Sequence, residues 1–423
     1  MQATFPVSTS AALAAVALLA GCAATGPDNR PDSGKSVARL AAATGAALSR
    51  CEALVSQFRF ADTLLDRAAA VAAGPVAPNG HAVAAHCLVK GRMKPRKGSD
   101  GQDYAIGFEM RLPQAWNGRF YYQGNGGLDG TVQPAQGALG GGPLTGALLQ
   151  GFAVISSDAG HTGAQTPFFG LEPQARLDYG YQAVAKLTPM AKGLIAAAYG
   201  KRPDRSYIGG CSNGGRHAMV AAARLGDQYD GYLVGAPGYR LPNAALAQLW
   251  GAQQWATVST PGATLPHPMN PSATLADLGS GFTPKERQLL SSAVLEQCDA
   301  LDGARDGMVQ ATQACQARFN LQKDVPTCQG VRNGQCLTVA QKQVVAAVFS
   351  GAKTAAGQPI YASFPYDTGV SGANWATWKF VNALALDPLA VGAVSSVPPG
   401  RVDPLKEDVS ARWPLFSATY HAF

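Results

Sequence analysis

The sequence predicts an α/β fold, with a doubly wound and mostly parallel sheet covered by helices on both faces. Strand-like runs of aromatic and β-branched residues occupy 119–122, 152–156 and 231–237, and an alanine-rich helical stretch occupies 181–199. Glycine-rich segments follow the strands, as at 124–127. In such sheets the loops after the carboxyl ends of the strands hold the functional groups.

The segment 210–214 reads Gly-Cys-Ser-Asn-Gly and places Ser212 at the centre of a G-x-S-x-G motif. A strand-like run at 205–208 precedes it and a helix-like run at 218–223 follows it. A serine exposed on a strained strand–helix turn needs neighbours without a Cβ. The alternative is an ordinary glycine-rich turn. Because strand, motif and helix agree, we interpret the segment as the nucleophile elbow of an α/β-hydrolase fold, with Ser212 as the candidate nucleophile.

A second glycine-rich loop, 124–130, follows an early strand, where half of an oxyanion hole is expected. The other donor would be the backbone N–H of Asn213, directly after the candidate nucleophile. The alternative is a plain glycine turn. The neighbouring elbow favours the oxyanion role.

Length and composition are those of a globular protein. The 423 residues can bury a large core, and the balance of 47% hydrophobic to 14% charged residues excludes disorder. The net charge of +7 is spread along the chain without a basic run, so we expect no nucleic-acid partner. Beyond the N-terminus, no apolar stretch is long enough to span a membrane.

The first 22 residues predict a lipoprotein-type export signal. An apolar run at 11–20 leads into Leu-Leu-Ala-Gly-Cys at 18–22, which resembles a bacterial lipobox with Cys22 as the lipidated residue. Residues 1–10 lack Lys and Arg, which departs from the usual signal, and the alternative is an apolar tail. We expect an exported periplasmic or outer-membrane lipoprotein of a Gram-negative bacterium, with 23–36 as a linker.

Seven further cysteines are compatible with an oxidising compartment. Their spacing suggests three candidate pairs: Cys51 with Cys87, Cys298 with Cys315, and Cys328 with Cys336. Cys211, beside the candidate nucleophile, is left unpaired.

The α/β core is expected at 37–240. After about residue 241, loops rich in proline, serine and threonine replace the regular alternation, which predicts a large lid insertion at 241–400. Residues 401–423 match no expected strand, and we interpret them as an aberrant or truncated tail.

Within the lid, three aspartates lie at short spacing between two of the cysteines: Asp299, Asp302 and Asp306. Glycines among them would let backbone carbonyls turn inward, and together these oxygens suit calcium. The spacing is not that of an EF-hand. On the residues alone, a solvated Asp/Gly turn is the favoured interpretation.

Taken together, these segments resemble the tannase and feruloyl esterase family, which includes bacterial hydrolases of terephthalate monoesters. The resemblance is carried by the Cys-Ser-Asn-Gly-Gly run at 211–215, the loop 124–130, the Ser-Asp-Ala-Gly-His run at 157–161 and the aspartate loop. A cysteine directly before the serine is unusual among hydrolases, so the resemblance is specific.

The resemblance implies an esterase of aromatic carboxylic esters, of the galloyl, feruloyl or terephthaloyl type, that works through an acyl-enzyme. It implies Ser212 as nucleophile, an oxyanion hole from Gly126, Gly127 and Asn213, and the three disulfides suggested above. It also implies a structural Ca²⁺ held by Asp299, Asp302, Asp306 and the carbonyls of Ala304 and Met308, which makes calcium the favoured interpretation of that loop.

The chain departs from the family after Phe380. The family pattern continues with a catalytic Asp on a later strand and a His-Cys pair whose cysteine bridges to the one beside the serine; residues 381–423 show neither. Of the later histidines, His217 is expected to point away from Ser212, His267 lies in a proline-rich loop, and His421 lacks a matching acid. We therefore expect a C-terminally truncated chain, without the last sheet strands, whose activity is impaired. The alternative is a non-catalytic exported lipoprotein that binds an aromatic ligand.

Overall fold

The computed structural model describes residues 41–75, 82–138, 146–268 and 270–416. The predicted export signal with Cys22, the linker 23–36 and His421 lie outside the described residues. Among the described residues, no helix combines the length and apolar character needed to cross a bilayer.

The central sheet has seven strands in the order β7-β6-β4-β5-β3-β2-β1. Their bounds in chain order are β1 (Thr63–Val71), β2 (His86–Lys97), β3 (Asp103–Pro113), β4 (Arg119–Gly124), β5 (Ala153–Ser157), β6 (Arg205–Cys211) and β7 (Gly231–Gly235). Within the described ranges, three two-stranded ribbons accompany it: Ala46–Ala47 with Ala115–Trp116, Gly74–Pro75 with Ala82–Val83, and Thr264–His267 with Asn270–Ala276.

The α/β class is confirmed, but the prediction of a mostly parallel sheet is corrected to a mixed sheet. Strands β7, β6, β4 and β5 run parallel, whereas β3, β2 and β1 continue the sheet in antiparallel order. The connection from β2 to β3 spans only 98–102, closed by the bond from the Gly98 N–H to the Gln102 carbonyl (2.8 Å). Such a short connection joins antiparallel neighbours, because a parallel crossover needs a dozen or more residues.

Among the residues that the structure describes, five helices are eight residues or longer: α1 (Ala183–Tyr199), α2 (Asn213–Arg224), α3 (Leu241–Ala256), α4 (Pro284–Cys298) and α5 (Val339–Phe349). Shorter helical segments are Leu54–Gln57, Gly163–Gln165, Phe168–Leu171, Pro173–Leu177, Asp178–Gln182, Leu278–Gly281, Asp299–Asp302, Thr312–Arg318, Leu321–Asp324, Thr368–Ser371, Ala373–Ala376, Thr377–Asn382, Ala383–Ala385, Asp387–Leu389, Ala390–Ser395, Val409–Arg412 and Trp413–Leu415.

Helix α1 confirms the predicted alanine-rich helix and covers the sheet. Its buried residues include Leu187, Leu194 and Ile195, which join Ile106 of β3 and Ile155 of β5 in one hydrophobic core. Each fully buried aliphatic side chain of this kind contributes about 1.5–3 kcal/mol. This core holds the strands whose carboxyl ends carry the glycine loops.

A second hydrophobic core is formed by residues that follow β7 in the chain, and α3 belongs to both cores. Leu246 and Leu249 of α3 lie in the first core, whereas Trp255, which follows later in the same helix, lies in the second. The Trp255 ring packs edge-on against Phe282 and Phe380, with centroids 5.4 and 5.5 Å away. Helix α3 is therefore a continuous helix that connects the two cores.

The described part of the C-terminal segment is packed against the first core. Val409 and Phe416 are buried there, and Phe416 forms a backbone bridge with Ser396. Strand β7 is the edge of the described sheet, and its Leu233 and Val234 are 49% and 38% exposed.

Candidate active site

Ser212 occupies a sharp turn between β6, which ends at Cys211, and α2, which begins at Asn213. Its backbone has φ 60° and ψ −119°, a conformation that residues with a Cβ rarely adopt and that costs on the order of 1–3 kcal/mol. The strand–turn–helix context predicted from the motif is confirmed. Such strain persists only where the surrounding structure enforces it, and it is typical of functional sites.

The surrounding backbone explains the glycines. A Cβ on Gly210 or Gly214 would lie 2.4 or 2.3 Å from the carbonyl oxygen of Gly124 at the end of β4. A Cβ on Gly215 would lie 2.3 Å from the Gly235 carbonyl at the end of β7. The elbow is therefore wedged between two strand ends, and only glycine fits at these positions.

The Ser212 main chain is fixed by hydrogen bonds, whereas its side chain is free. The Ser212 N–H donates to the Gly235 carbonyl (3.0 Å), and its own carbonyl accepts from the N–H groups of Arg216 (3.0 Å) and Gly238 (3.2 Å). The residue is exposed, and over the described ranges no group lies within hydrogen-bonding distance of its hydroxyl. In the part of the chain that the structure describes, no general base is therefore hydrogen-bonded to Ser212.

Sheet topology places the loop 124–130 beside the elbow. Gly124 of β4 pairs with Gly210 of β6, so the two strands end together. From there the chain after β4 leads to β5 on one side, and the chain after β6 leads to β7 on the other. Ligand crevices of α/β sheets form at such a switch point.

The loop 124–130 turns sharply and leaves donors unoccupied. Gly127 and Asp129 have φ of 65° and 57°, and the Asp129 N–H closes the turn on the Gly126 carbonyl (3.2 Å). Within the part of the chain that the structure describes, the N–H groups of Gly126 and Gly127 have no acceptor, and no atom lies within 4 Å of a Cβ added to either glycine. The Asn213 N–H is one of the first four of α2, which lack an acceptor inside the helix. Free N–H groups at a helix N-terminus suit an anion.

A buried network joins this loop to α2. Asp129 Oδ2 accepts from Asn213 Nδ2 (2.7 Å) and from His217 Nε2 (2.8 Å). Asn213 Oδ1 accepts from Arg216 Nε (2.6 Å) and the Tyr179 hydroxyl (3.0 Å). His217 thus donates to Asp129, not to Ser212, and burial together with the Arg216 charge lowers its pKa.

Sequence reasoning missed these partners, although one signal was present. Asn213 and His217 are four residues apart on α2, a spacing that places two side chains on one face of a helix. What they contact there depends on how the 124–130 loop folds, which no local pattern shows.

The Ser-Asp-Ala-Gly-His run at 157–161 is hydrogen-bonded to the 124–130 loop. Asp158 Oδ1 accepts from the N–H groups of Gly107 (3.0 Å) and Gly160 (2.9 Å), and burial raises the Asp158 pKa to about 7. His161 is fully buried, stacked on Phe169 with ring centroids 3.6 Å apart, and burial lowers its pKa to about 4. Both groups therefore support the loop from within the core.

The aspartate loop is exposed and held by its own backbone. The five carboxylate hydrogen bonds, all accepted from backbone N–H groups at 3.0–3.2 Å, are Asp299 Oδ1 with Asp306 and Gly307, Asp302 Oδ1 with Ala304, Asp302 Oδ2 with Gln310, and Asp306 Oδ1 with Met308.

Several oxygen atoms of this loop are available to bind a cation. In the described residues, the second oxygens of Asp299 and Asp306 and the carbonyls of Ala304 and Met308 accept no hydrogen bond. Carboxylate and carbonyl oxygens are the ligands that Ca²⁺ prefers. However, the described residues contain no cluster of three His, Cys, Asp or Glu side chains placed to hold a metal ion, so carbonyls would have to complete the site.

The three suggested disulfides are confirmed: Cys51–Cys87, Cys298–Cys315 and Cys328–Cys336. Cys211 is a free, half-buried thiol, also as predicted. Three disulfides indicate a protein of an oxidising, extracytoplasmic compartment.

Comparison with known proteins agrees with this geometry. The family model described as "Tannase and feruloyl esterase" matches residues 87–396. The mono(2-hydroxyethyl) terephthalate hydrolase of Piscinibacter sakaiensis is 36% identical over 334 residues, covering 75% of this chain and 54% of that protein. A probable feruloyl esterase B-1 of Neosartorya fischeri is 30% identical over 305 residues, covering 66% of this chain and 53% of that protein. The chain thus spans about half the length of these relatives.

Solved structures share the fold. Feruloyl esterase B from Aspergillus oryzae superposes with a TM-score of 0.68 at 23% identity, over 88% of this chain and 70% of that one. Tannin acyl hydrolase from Aspergillus niger gives 0.60 at 20% identity, over 85% and 65%. The family model covers most of the chain, and its strand–elbow–helix geometry is present. The chain therefore belongs to the tannase and feruloyl esterase family.

Proposed function

We propose that this chain is the Ser212-bearing part of a carboxylic ester hydrolase that acts on aromatic esters of the galloyl, feruloyl or terephthaloyl type. The observation that carries the proposal is the strained, exposed Ser212 at φ 60°, held between two strand ends where only glycine fits. The substrate class rests on the names of the relatives, which hydrolyse a terephthalate monoester or are feruloyl esterases.

In this proposal Ser212 Oγ attacks the ester carbonyl and the alcohol leaves, which yields an acyl-enzyme that water then hydrolyses. The negative charge on the carbonyl oxygen would be held by the N–H of Asn213 and by the Gly126–Gly127 turn, whose donors are free in the described residues. A base must accept the Ser212 proton. In the family pattern this base is the His of an Asp–His pair, and residues 381–423 do not show that pair.

Two further features belong to the proposal. The Asp299, Asp302 and Asp306 carboxylates, with the carbonyls of Ala304 and Met308, would hold a structural Ca²⁺ beside the Cys298–Cys315 disulfide. Export with a lipid anchor at Cys22, to the periplasm or outer membrane, is supported by the lipobox-like sequence and by the disulfides.

The test is hydrolysis of methyl gallate, methyl ferulate and mono(2-hydroxyethyl) terephthalate, with methyl butyrate for comparison, together with intact-mass analysis after a fluorophosphonate probe. We expect aromatic esters to be preferred and one probe adduct to form. Both should vanish in Ser212→Ala, because the acyl-enzyme and the probe adduct form on the same Ser212 hydroxyl. Ser272→Ala removes an equally exposed hydroxyl from a lid ribbon and is the matched control.

Turnover that survives Ser212→Ala would contradict the proposal. Binding of the aromatic acids by folded protein with neither turnover nor adduct would instead favour the non-catalytic ligand-binding alternative, for which the free Ser212 hydroxyl is the supporting observation.

A further inference from the structure

We propose that Asp129 and His217 form a buried clamp that sets the position of the Gly126–Gly127 turn relative to the Asn213 N–H. The inference rests on the proposed function, since these donors matter only where an oxyanion forms. Asp129 and His217 would be positioning residues, because neither contacts the ester.

The first argument is connectivity. Asp129 belongs to the 124–130 loop, whereas Asn213 and His217 belong to α2, and a single oxygen, Asp129 Oδ2, accepts from both (2.7 and 2.8 Å). The side chains of Asp129 and His217 are 2% and 3% exposed, so water does not compete for these bonds. Hydrogen bonds to a buried charged group are among the stronger ones in proteins.

The second argument is that the Asn213 side chain is fully occupied. Its amide nitrogen donates to Asp129 Oδ2 and to the Asn125 carbonyl (3.5 Å). Its oxygen accepts from Arg216 Nε and the Tyr179 hydroxyl. Arg216 is itself anchored, since its other guanidinium nitrogens donate to the carbonyls of Gly180 (2.9 Å) and Tyr179 (3.0 Å). A side chain held in this way has no group left for substrate, so its effect is to fix the backbone N–H that follows Ser212.

The third argument is that hydrogen bonds hold the 124–130 loop at both of its ends. Its start is anchored to β5 by the bond from Asn125 Nδ2 to the Ser157 carbonyl (2.7 Å), and its end by the bond from the Gly130 N–H to the Asp158 carbonyl (3.1 Å). Between these anchors, Asp129 provides the side-chain link from the loop to α2. The turn that presents the free N–H groups is therefore positioned through the clamp.

The clamp also determines the histidine tautomer. A carboxylate oxygen only accepts, so His217 carries its proton on Nε2. A glutamine at position 217 could likewise donate an N–H to Asp129. Asparagine at position 129 could likewise accept both bonds through its single oxygen, because Asp129 uses only Oδ2. These two conservative variants separate the hydrogen bonds from the charge and the ring.

Oxyanion donors act only when they lie 2.7–3.1 Å from the developing charge, and displacement by about 1 Å can cost 10²-fold in rate. We therefore expect Asp129→Ala and His217→Ala to lower kcat about 10- to 100-fold with KM within twofold of the parent. Asp129→Asn and His217→Gln should recover most of the rate. Glu286→Ala, which removes an equally buried carboxylate from the second core, should lower stability and leave kcat unchanged.

A second measurement does not depend on turnover. Hydrogen–deuterium exchange of the 124–130 and 211–217 peptides should accelerate at least tenfold in Asp129→Ala and His217→Ala, and stay near the parent rate in Asp129→Asn and His217→Gln. If the parent hydrolyses no ester, the proposed function fails and the exchange result alone decides the clamp.

Three results would overturn the inference. These are unchanged exchange in both alanine variants, unchanged kcat in an active parent background, or a raised KM at constant kcat. The last result would place Asp129 or His217 in substrate binding.

Discussion

The elbow region and the aspartate loop are both rich in glycine and carboxylates, but they use them for different reasons. At the elbow, Gly210 and Gly214 are required because a Cβ would strike backbone from another strand. In the aspartate loop, Gly303 and Gly307 face open space and are required by their φ of 95° and 80°. The elbow is therefore built by long-range packing and the aspartate loop by local conformation.

The carboxylates show the same contrast. Asp129 and Asp158 are buried and bind groups from other segments of the chain. The three loop aspartates are exposed and accept from backbone within eight residues. Consequently the elbow carboxylates depend on the tertiary fold, whereas those of the loop remain available to a cation.

The largest effect that we expect is on stability, and it is tested by replacing one glycine in each region with alanine. Gly214→Ala would place a Cβ 2.3 Å from the Gly124 carbonyl, between two backbone segments that cannot both move. We expect loss of folded protein, or destabilisation beyond the roughly 1–3 kcal/mol typical of overpacking. Gly303→Ala meets no neighbour and should cost only about 1–2 kcal/mol for its positive φ.

Urea unfolding and the yield of soluble protein measure both variants. Gly226→Ala, whose Cβ would lie at an ordinary 3.5 Å from the Ala222 carbonyl, is the control. Equal losses for Gly214→Ala and Gly303→Ala would remove the distinction between the two regions.

The next effect concerns pH and the buried Asp158. Burial raises its pKa from 3.8 to about 7, so the folded state holds a proton that the unfolded state releases. The stability that this difference in pKa gives the folded protein is therefore fully present below about pH 4. It is lost as the pH rises through about 7, and the loss in the free energy of unfolding is on the order of 4 kcal/mol. Asp158→Asn keeps an acceptor for Gly107 and Gly160 and cannot ionise.

The measurement is the free energy of unfolding from pH 4 to pH 8. The stability of Asp158→Asn relative to the parent should rise steadily across this range, while exposed Asp227→Asn should show no such trend. A constant difference between Asp158→Asn and the parent would show that Asp158 ionises normally in the folded protein.

The smallest effect is calcium binding at the aspartate loop. If the loop binds Ca²⁺, a hundredfold excess over Kd stabilises the protein by about 2.7 kcal/mol and raises Tm. Asp302→Ala and Asp306→Ala should remove this increment, EDTA should reverse it in the parent, and Asp227→Ala should retain it. A parent Tm independent of Ca²⁺ would make this loop a solvated turn, as the residues alone suggested.

The sequence by itself determined the local features of this protein. The G-x-S-x-G motif indicated the turn at Ser212, although packing against other strands holds that turn, and the alanine-rich stretch determined α1. Cysteine spacing indicated the three disulfides. Except for Cys51–Cys87, which are 36 residues apart, these features can be read from short segments, because helix periods, glycine conformations and nearby cysteines act over a limited stretch of chain.

Only the tertiary structure decided which distant segments meet. It turned a predicted parallel sheet into a mixed one, made α3 common to two cores, and joined Asp129 to His217 across 88 residues. These contacts depend on burial. A buried carboxylate needs hydrogen-bond donors and an apolar helix face needs an apolar surface to pack against, but neither need shows which distant segment will supply the contact. The same limit explains why Ser212 was predictable and the clamp behind it was not.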